Sequence, residues 1–288
     1  MKDKDKDKDK DNNEELLKKL QFIHLNGLAD NLDNYLRIAQ KSNFSHFRLL
    51  QYIIEEEYKL KQENSRKMRM NRAKIPEKYV LETFPFAQQP KLNKKKLFNF
   101  YDTFHNGENG RNIIWMGPTG VGKTGLATAF LIHAIDRGYS GRFISFPELI
   151  EGLYQSIGDH SESKVIKTFA SYDFLLIDEL GYVEVEPSQV GLFFNLMQRR
   201  HKKKTTFITT NLGFSQWTSF LKNPQLTAAL IDRLTENSYI INMKECVSLR
   251  VKLNPAQSIT SIQNNNNDEN EENEEDEEEE EDSQCDSL

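Results

Sequence analysis

The sequence predicts a three-layer α/β fold, in which helices cover both faces of a parallel sheet. An apolar run at 113–116 leads directly into a glycine-rich loop, G-P-T-G-V-G-K-T, at 117–124, and a helical pattern follows the loop. A second apolar run, Phe174 to Ile177, ends in the adjacent carboxylates Asp178 and Glu179. Helix and strand patterns alternate between and after these runs, which is typical of parallel α/β sheets.

The composition is that of a globular chain with charged ends. At 288 residues and 37% hydrophobic content, the chain can bury a sizeable core. No apolar run of about 18 residues occurs and the first residues are lysine and aspartate, so we expect no membrane span, no signal peptide, no membrane partner and a cytoplasmic location. The two cysteines, Cys246 in a strand-like segment and Cys285 in a polar tail, are too few for a disulfide framework or a zinc site.

The formal net charge of −6 hides a strong segregation of charge along the chain. The stretch from Asp268 to Leu288 has 14 acidic residues and no lysine or arginine, which leaves 38 basic against 30 acidic residues in 1–267, a net of +8. Within that part, Lys59 to Lys96 holds 12 basic residues and three glutamates. Such a density suits a polyanionic partner, although a solvated helix face also carries runs of charge.

The first 75 residues divide into a tail and a helical module. Residues 1–13 are rich in lysine and aspartate with nothing apolar to bury, which predicts disorder. In 14–75, apolar spacings of three and four predict two helices broken near Asn26-Gly27 and a third, charged helix from Glu55 to Met70. We interpret 14–75 as a helical module whose basic end binds a polyanion, DNA being the partner that the family resemblance implies. Its candidates for contacting a phosphate backbone in DNA binding are Arg66, Lys67, Arg69, Arg72 and Lys74.

Residues 76–255 hold a connector and the α/β domain, and 256–288 form an acidic tail that we expect to be disordered. The connector contains three prolines and a short apolar helix from Leu97 to Phe104. Beyond the glycine-rich loop, the predicted helices are 126–135, 188–198 and 226–234, and the predicted strands are 142–146, 174–179 and 205–210.

The glycine-rich loop is a P-loop, the phosphate-binding motif of many nucleotide-binding proteins. Its glycines let the backbone approach an anion, and the helix that follows directs its first N–H groups at the β and γ phosphates of ATP. Lys123 adds a positive charge there, and the Thr124 hydroxyl is expected to hold Mg²⁺. The residues expected to contact the nucleotide are Gly117, Pro118, Thr119, Gly120, Val121, Gly122, Lys123, Thr124 and Gly125.

Polar residues at the ends of two later strands predict the rest of the site. Asp178 and Glu179 form the Walker B arrangement, in which Asp178 faces Mg²⁺ and Glu179 orients the attacking water, and this second carboxylate indicates a hydrolase. Asn211 ends the strand 205–210 and is expected to lie beside them, in contact with the γ-phosphate or the water, unless it caps a helix or forms a turn. Arg233, considered alone, is typical of a surface residue that pairs with a carboxylate.

Four motifs together carry a family resemblance: G-P-T-G-V-G-K-T-G-L-A, L-L-I-D-E-L-G-Y, T-T-N-L-G-F-S-Q-W and A-L-I-D-R-L. In order and spacing they resemble the IstB-like transposition helper ATPases, relatives of the DnaC-type helicase loaders within the AAA+ superfamily. The resemblance runs from about Glu14 to Lys252. It implies a AAA+ fold, ATP hydrolysis, oligomerisation on double-stranded DNA, and cooperation with a transposase of the same mobile element.

The resemblance also assigns roles to single residues. The phosphate loop of the family falls on 117–124, with Lys123 among the catalytic residues, its Mg²⁺ aspartate on Asp178 and its catalytic glutamate on Glu179. Its sensor asparagine falls on Asn211 and its arginine finger on Arg233. The remaining assignments follow from flanking segments. The sensor-two arginine falls on Arg250: family members usually read S-Y-R in this region, and this chain has Val247-Ser-Leu-Arg250. The residues that flank the adenine fall on Phe84 and Phe86.

Three other functions remain open from the sequence. A helicase loader shares the ATPase core but generally has a different N-terminal region. A P-loop kinase needs an acceptor pocket and lid arginines in one chain, and the pairs Asp178-Glu179 and Asp232-Arg233 disfavour it. A non-hydrolysing scaffold is disfavoured by the intact Lys123. The acidic tail has two interpretations as well, a solvated appendage or a competitor of DNA for the basic patches at 66–74 and 94–96.

Overall fold

The structure is a computed structural model that describes residues 14–104, 110–183, 185–236 and 238–250. The predicted disorder of 1–13 and of 256–288 lies outside the described residues. Within them, the chain forms a helical N-terminal part followed by a five-stranded sheet with helices on both faces. No helix in the described ranges is long and apolar enough to span a bilayer.

Three helices make up the N-terminal part: α1 at 14–22, α2 at Asn26–Lys41 and α3 at His46–Ala73. The helical structure is interrupted at 23–25, just before Asn26-Gly27, where the sequence analysis predicted the break. The reason is a contact between helices, because the buried Glu57 on α3 accepts a hydrogen bond from the Leu28 N–H at 2.9 Å and so caps the start of α2. A Cβ at Gly27 would lie 2.7 Å from that carboxylate, so a larger residue there would require the Glu57 side chain to move.

The connector has little regular structure until α4, Lys94–Thr103. Two short 3₁₀ turns, Leu81–Thr83 and Phe86–Gln88, precede it. The Asn93 side chain accepts a hydrogen bond from the Lys96 N–H at 2.9 Å, which caps the helix and explains why α4 begins at the basic triplet, earlier than predicted.

The sheet is entirely parallel, with strand order β2-β3-β4-β1-β5, as the predicted fold class requires. Its strands are β1 at Asn112–Met116, β2 at Gly141–Ser145, β3 at Phe174–Leu180, β4 at Thr205–Thr210 and β5 at Ser238–Asn242. The carboxyl ends of parallel strands lie at the same edge of a sheet, and only β4 separates β1 from β3. The P-loop after β1 therefore lies near the carboxylates at the end of β3. Cys246, expected in a strand, lies beyond β5 in a turn and is buried.

Six helices cover the sheet after the P-loop. They are α5 at Lys123–Asp136, α6 at Phe146–Gly158, α7 at Glu162–Ser171, α8 at Pro187–Arg200, α9 at Phe214–Leu221 and α10 at Pro224–Thr235. The sequence analysis predicted α5, α8 and α10 and missed the other three. Phe146, predicted as the end of a strand, instead begins α6, because Ser145 and Glu148 form a capping box around the first turn.

The two faces of the sheet bury separate cores. One core contains Phe146, Phe193 and Trp217 and lies under α6, α8 and α9. The other contains Trp115 and Phe130 and lies under α4, α5 and the end of α3. The helical N-terminal part is therefore joined to the α/β part through α3, which packs on α5 and on the edge strand β2.

Candidate nucleotide-binding site

The P-loop connects the end of β1 to the start of α5. Gly120 and Gly122 have φ angles of +84° and +93°, which L side chains rarely adopt, so glycine is needed at both positions. A Cβ on Gly122 would also lie 2.6 Å from the Phe84 ring, and one on Gly117 would lie 2.8 Å from the Met243 backbone. The packing of neighbouring segments against the loop therefore favours glycine at these positions, in addition to the close approach that an anion would need.

Lys123 is buried at the first turn of α5. Its Nζ donates to the carbonyl oxygens of Gly117, at 2.9 Å, and Pro118, at 2.8 Å, which holds the ammonium inside the loop. Burial lowers the pKa of this ammonium, and the nearby Asp178 carboxylate opposes the shift. The loop therefore concentrates positive charge where a phosphate would lie.

Asp178 receives two hydroxyl groups from neighbouring elements. Thr124 Oγ1 donates to Asp178 Oδ1 at 3.0 Å, and Thr209 Oγ1 on β4 donates to the same oxygen. Burial raises the pKa of the Asp178 carboxyl, while these two hydrogen bonds act in the opposite direction. The result is a cluster of hard oxygen ligands, the donor type that Mg²⁺ prefers.

Glu179 sits in an irregularity of β3. Its φ of +60° is left-handed, and the pairing of β3 with β4 shifts register between Ile177 and Leu180. The Glu179 N–H donates to Thr209 Oγ1 at 3.0 Å, so a buried side chain holds the distorted backbone. The bulge exposes the Glu179 side chain toward the P-loop, whereas its neighbours in β3 are buried.

These residues surround a cavity of about 440 Å³, within the range of small-molecule sites. The P-loop forms its floor. The connector segment 79–85 forms one wall, and Leu249 and Arg250 form another. Glu179 and Thr209 line it as well.

A family model described as IstB-like ATP binding protein matches residues 16–255. The chain belongs to this family. Among curated relatives of this IstB-like protein, the insertion sequence IS232 putative ATP-binding protein of Bacillus thuringiensis subsp. berliner is 27% identical over 230 residues, 80% of this chain and 92% of the relative. The IS5376 putative ATP-binding protein of Geobacillus stearothermophilus is 29% identical over 231 residues, again 80% and 92%. A crystal structure of DnaI is similar over 52% of this chain and 84% of its own, with 24% identity and a TM-score of 0.47.

The P-loop cradle of this IstB-like chain fits ATP. Gly120 and Gly122 turn the loop in left-handed conformations, α5 begins directly after it beside the cavity, and the loop carbonyls hold the Lys123 ammonium, as a phosphate-binding loop requires. The hydroxyl of Thr124 and the carboxylate of Asp178, 3.0 Å apart, fit Mg²⁺ equally well by ligand type.

The structure brings several sequence-predicted residues together around the cavity. Phe84, Lys123, Thr124, Glu179 and Arg250 all line it. Asp178 lies behind this lining and accepts a hydrogen bond from the Thr124 hydroxyl. The structure places Ser248 and Arg250 against Gly120 of the P-loop, and the sensor-two role of Arg250 stays a prediction.

Three predicted residues lie elsewhere among the described part of the chain. Phe86 is behind Phe84, with ring centroids 4.9 Å apart, because the 3₁₀ turn that begins at Phe86 directs its ring toward Phe98. Asn211 is exposed just beyond β4 and is not among the cavity-lining residues. Arg233 lies on α10 with its guanidinium 4.8 Å from the Phe194 ring centroid, away from the cavity of its own chain. The roles of all three stay predictions.

The sequence analysis missed Thr209, Gln89 and Tyr182. Thr209 was hidden inside a correctly predicted strand, and Gln89 lies in the irregular connector. Tyr182 lines the cavity, and its hydroxyl is 3.0 Å from that of Thr119 on the P-loop. One signal in the sequence could have identified Thr209: it is a polar residue in β4, a strand that ends at the site.

Two of the candidate DNA-binding residues at the end of α3, Arg66 and Arg69, contact the α/β part. Arg66 forms an ion pair with Asp136 at 2.6 Å, and Arg69 Nε donates to the Ile135 carbonyl oxygen at 3.4 Å, both at the C-terminal end of α5. Lys67 pairs with Glu63 on its own helix at 2.8 Å. These contacts neutralise part of the positive charge that the sequence analysis assigned to DNA binding. Binding of DNA by these residues stays a prediction.

Proposed function

We propose that this IstB-like protein is a Mg²⁺-dependent ATPase that forms oligomers on double-stranded DNA and helps the transposase of its insertion sequence to select or capture a target. The observation that supports this most strongly is the meeting of Lys123 and Thr124 with Asp178 and Glu179 at one edge of the sheet. Two carboxylates beside a P-loop suit hydrolysis of a phosphoanhydride better than nucleotide binding alone. Action on DNA would also fit a cytoplasmic location.

Each residue of the site then has a chemical task. The P-loop amides and Lys123 bind the β and γ phosphates of the substrate ATP. Thr124 and Asp178 would hold Mg²⁺, which would supply charge stabilisation for the transferring phosphoryl group. Glu179, exposed to the cavity by its bulge, orients a water and accepts its proton. Phe84 contacts the P-loop and offers an aromatic face to the adenine.

Assembly of several subunits would complete the site. Because Arg233 is away from the cavity of its own chain, we propose that it acts on the nucleotide of a neighbouring subunit as an arginine finger. Asn211, at the same edge of the sheet as Glu179, would contact the γ-phosphate or the water once ATP is bound. ATP at the interface would then control oligomerisation.

The DNA and transposase parts of the proposal are supported by charge and by relatives. The net charge of +8 over 1–267 favours contact with a phosphate backbone without base readout. Both relatives described above carry names that tie them to insertion sequences. This context favours a transposase as the partner over the replicative helicase that a helicase loader would engage.

Two substitutions test the proposal in one experiment. Lys123→Ala should abolish ATP binding and ATP-dependent assembly on linear double-stranded DNA. Glu179→Gln should bind ATP and assemble, but its turnover should fall roughly 10²- to 10⁴-fold because a positioned base is lost. Nucleotide titration, steady-state ATPase assays and sedimentation with DNA separate the two variants.

Target capture is then measured with the proposed partner, the transposase of the same mobile element. Integration into a DNA target should rise with the wild-type protein and ATP, and should not rise with Lys123→Ala. Wild-type turnover by Glu179→Gln would contradict its role as the base, and assembly that ignores both ATP and DNA would contradict the proposed mechanism.

A further inference from the structure

The segment after β5 crosses the outer side of the P-loop. We call this segment, residues 243–250, the strap. At its start, the Met243 N–H donates to the Met116 carbonyl oxygen at 2.7 Å, and near its end the Leu249 N–H donates to the Gly120 carbonyl oxygen at 2.8 Å. A Cβ on Gly120 would collide with the Ser248 hydroxyl. The strap and the P-loop are therefore in direct contact along their lengths.

Gln89 of the connector holds the middle of the strap. Its side chain is fully buried, its Nε2 donates to the Val247 carbonyl oxygen at 2.6 Å, and its Oε1 accepts from the Val247 N–H at 3.0 Å. This pairing satisfies both polar groups of a primary amide with both polar groups of one strap residue. The Val247 side chain is 58% exposed, so burial of that side chain contributes little to holding the strap there.

The pairing of Gln89 with Val247 joins two walls of the nucleotide cavity. The connector supplies Phe84 and the strap supplies Leu249, and both side chains contact the P-loop at Gly122, where a Cβ would lie 2.6 and 3.2 Å from them. Gln89 is itself fixed in the 3₁₀ turn, because its N–H donates to the Phe86 carbonyl oxygen at 2.9 Å. The hydrogen bonds of Gln89 thus join the end of this turn to the strap that leads to Arg250.

We propose that Gln89 is a positioning residue of the nucleotide site: its buried amide holds the strap across the P-loop and so sets the affinity for ATP. Gln89 does not line the cavity and acts through Leu249 and Arg250. By linkage, a nucleotide that contacts the connector, the P-loop and the strap together must in turn stabilise the strap. The inference rests on the nucleotide-binding part of the proposed function and is independent of DNA and transposase.

The variants Gln89→Met and Gln89→Glu test it. Methionine keeps the length of the side chain and removes both hydrogen bonds, whereas glutamate keeps the acceptor and loses the donor. Gln88→Glu is the matched control, because Gln88 is the adjacent, exposed glutamine. We expect the Kd for a fluorescent ATP analogue and the KM for ATP to rise about tenfold in Gln89→Met, the effect of losing one to two buried hydrogen bonds, with kcat unchanged. The control should bind like the wild type.

Amide hydrogen exchange gives a second readout, and its first part needs only the wild type. In the wild type, ATP should slow the exchange of the Val247 and Leu249 amides, and in Gln89→Met these amides should exchange faster without nucleotide while β1 stays protected. Wild-type affinity in a folded Gln89→Met, or no effect of ATP on the wild-type Val247 and Leu249 amides, would overturn the inference. Failure of the wild type to bind ATP would instead overturn the proposed function.

Discussion

The hydroxyl of Thr209 connects the two carboxylate residues of the site. It donates to Asp178 Oδ1 and accepts from the Glu179 N–H at 3.0 Å, and the side chain is almost completely buried. A left-handed backbone at a non-glycine residue such as Glu179 costs free energy and persists only where its surroundings hold it. One buried hydroxyl thus orients the proposed metal ligand and keeps the bulge that exposes the proposed base.

We expect Thr209→Val to lower kcat by about 10- to 100-fold, because valine keeps the shape but leaves the buried Glu179 N–H without its acceptor, at a cost of about 1–3 kcal/mol. Thr209→Ser should restore most of the activity, since it returns the hydroxyl. Steady-state ATPase assays over a range of Mg²⁺ concentrations measure both. Thr205→Val, the same change at the opposite end of β4, is the control. Normal kcat in Thr209→Val would show that the bulge is held by other contacts.

At the scale of elements, α10 and α3 each hold arginine side chains against a neighbouring helix. The Arg233 guanidinium on α10 is held by Phe194 and by the Ala229 carbonyl oxygen, which its Nη1 reaches at 2.9 Å. This packing keeps the side chain on the surface of α8 and α10. On the opposite face of the sheet, Arg66 and Arg69 on α3 contact the C-terminal end of α5, where the helix dipole favours positive charge.

A mixing experiment tests whether Arg233 acts between subunits. Arg233→Ala and Lys123→Ala should each be inactive alone, and a mixture should recover part of the ATPase activity, because some interfaces then pair an intact Arg233 with an intact P-loop. Activity is measured across a series of mixing ratios. Without recovery, and with co-assembly of the two variants demonstrated, Arg233 would have a role within its own chain.

At the scale of the whole molecule, charge is divided between a basic main part and an acidic C-terminal stretch. Residues 1–267 carry a net charge of +8, and the stretch from Asp268 to Leu288 carries 14 acidic residues. The acidic stretch lies outside the described residues, so its two interpretations are distinguished by experiment. A tethered polyanion has a high local concentration near a basic surface and competes with DNA there.

Competition predicts that truncation after Ser261 tightens DNA binding at low salt, and that the gain fades as ionic strength rises, because salt screens both sets of contacts. DNA titrations of the full chain and the truncated chain at several salt concentrations measure this. Equal affinities at every salt concentration would identify the acidic stretch as a solvated appendage.

The best sequence predictions concern short, local patterns. The strand Thr205–Thr210 was predicted to the residue, and β1 and β3 were predicted to within one residue at each end, because buried parallel strands are continuous apolar or β-branched runs. The boundary at Phe146 was wrong because an apolar residue after a strand is ambiguous until the capping box of Ser145 and Glu148 is considered.

The sequence by itself determined the P-loop chemistry, the parallel α/β class and the family, since each depends on residue types at fixed spacing along the chain. Only the tertiary structure decided that Thr209 joins Asp178 to Glu179, that Gln89 holds the strap, and that Arg66 faces α5. These contacts join residues far apart in the chain: Gln89 and Val247 are 158 positions apart. Local periodicity does not encode such pairs, because they form only where packing of the sheet and its helices brings separate segments together.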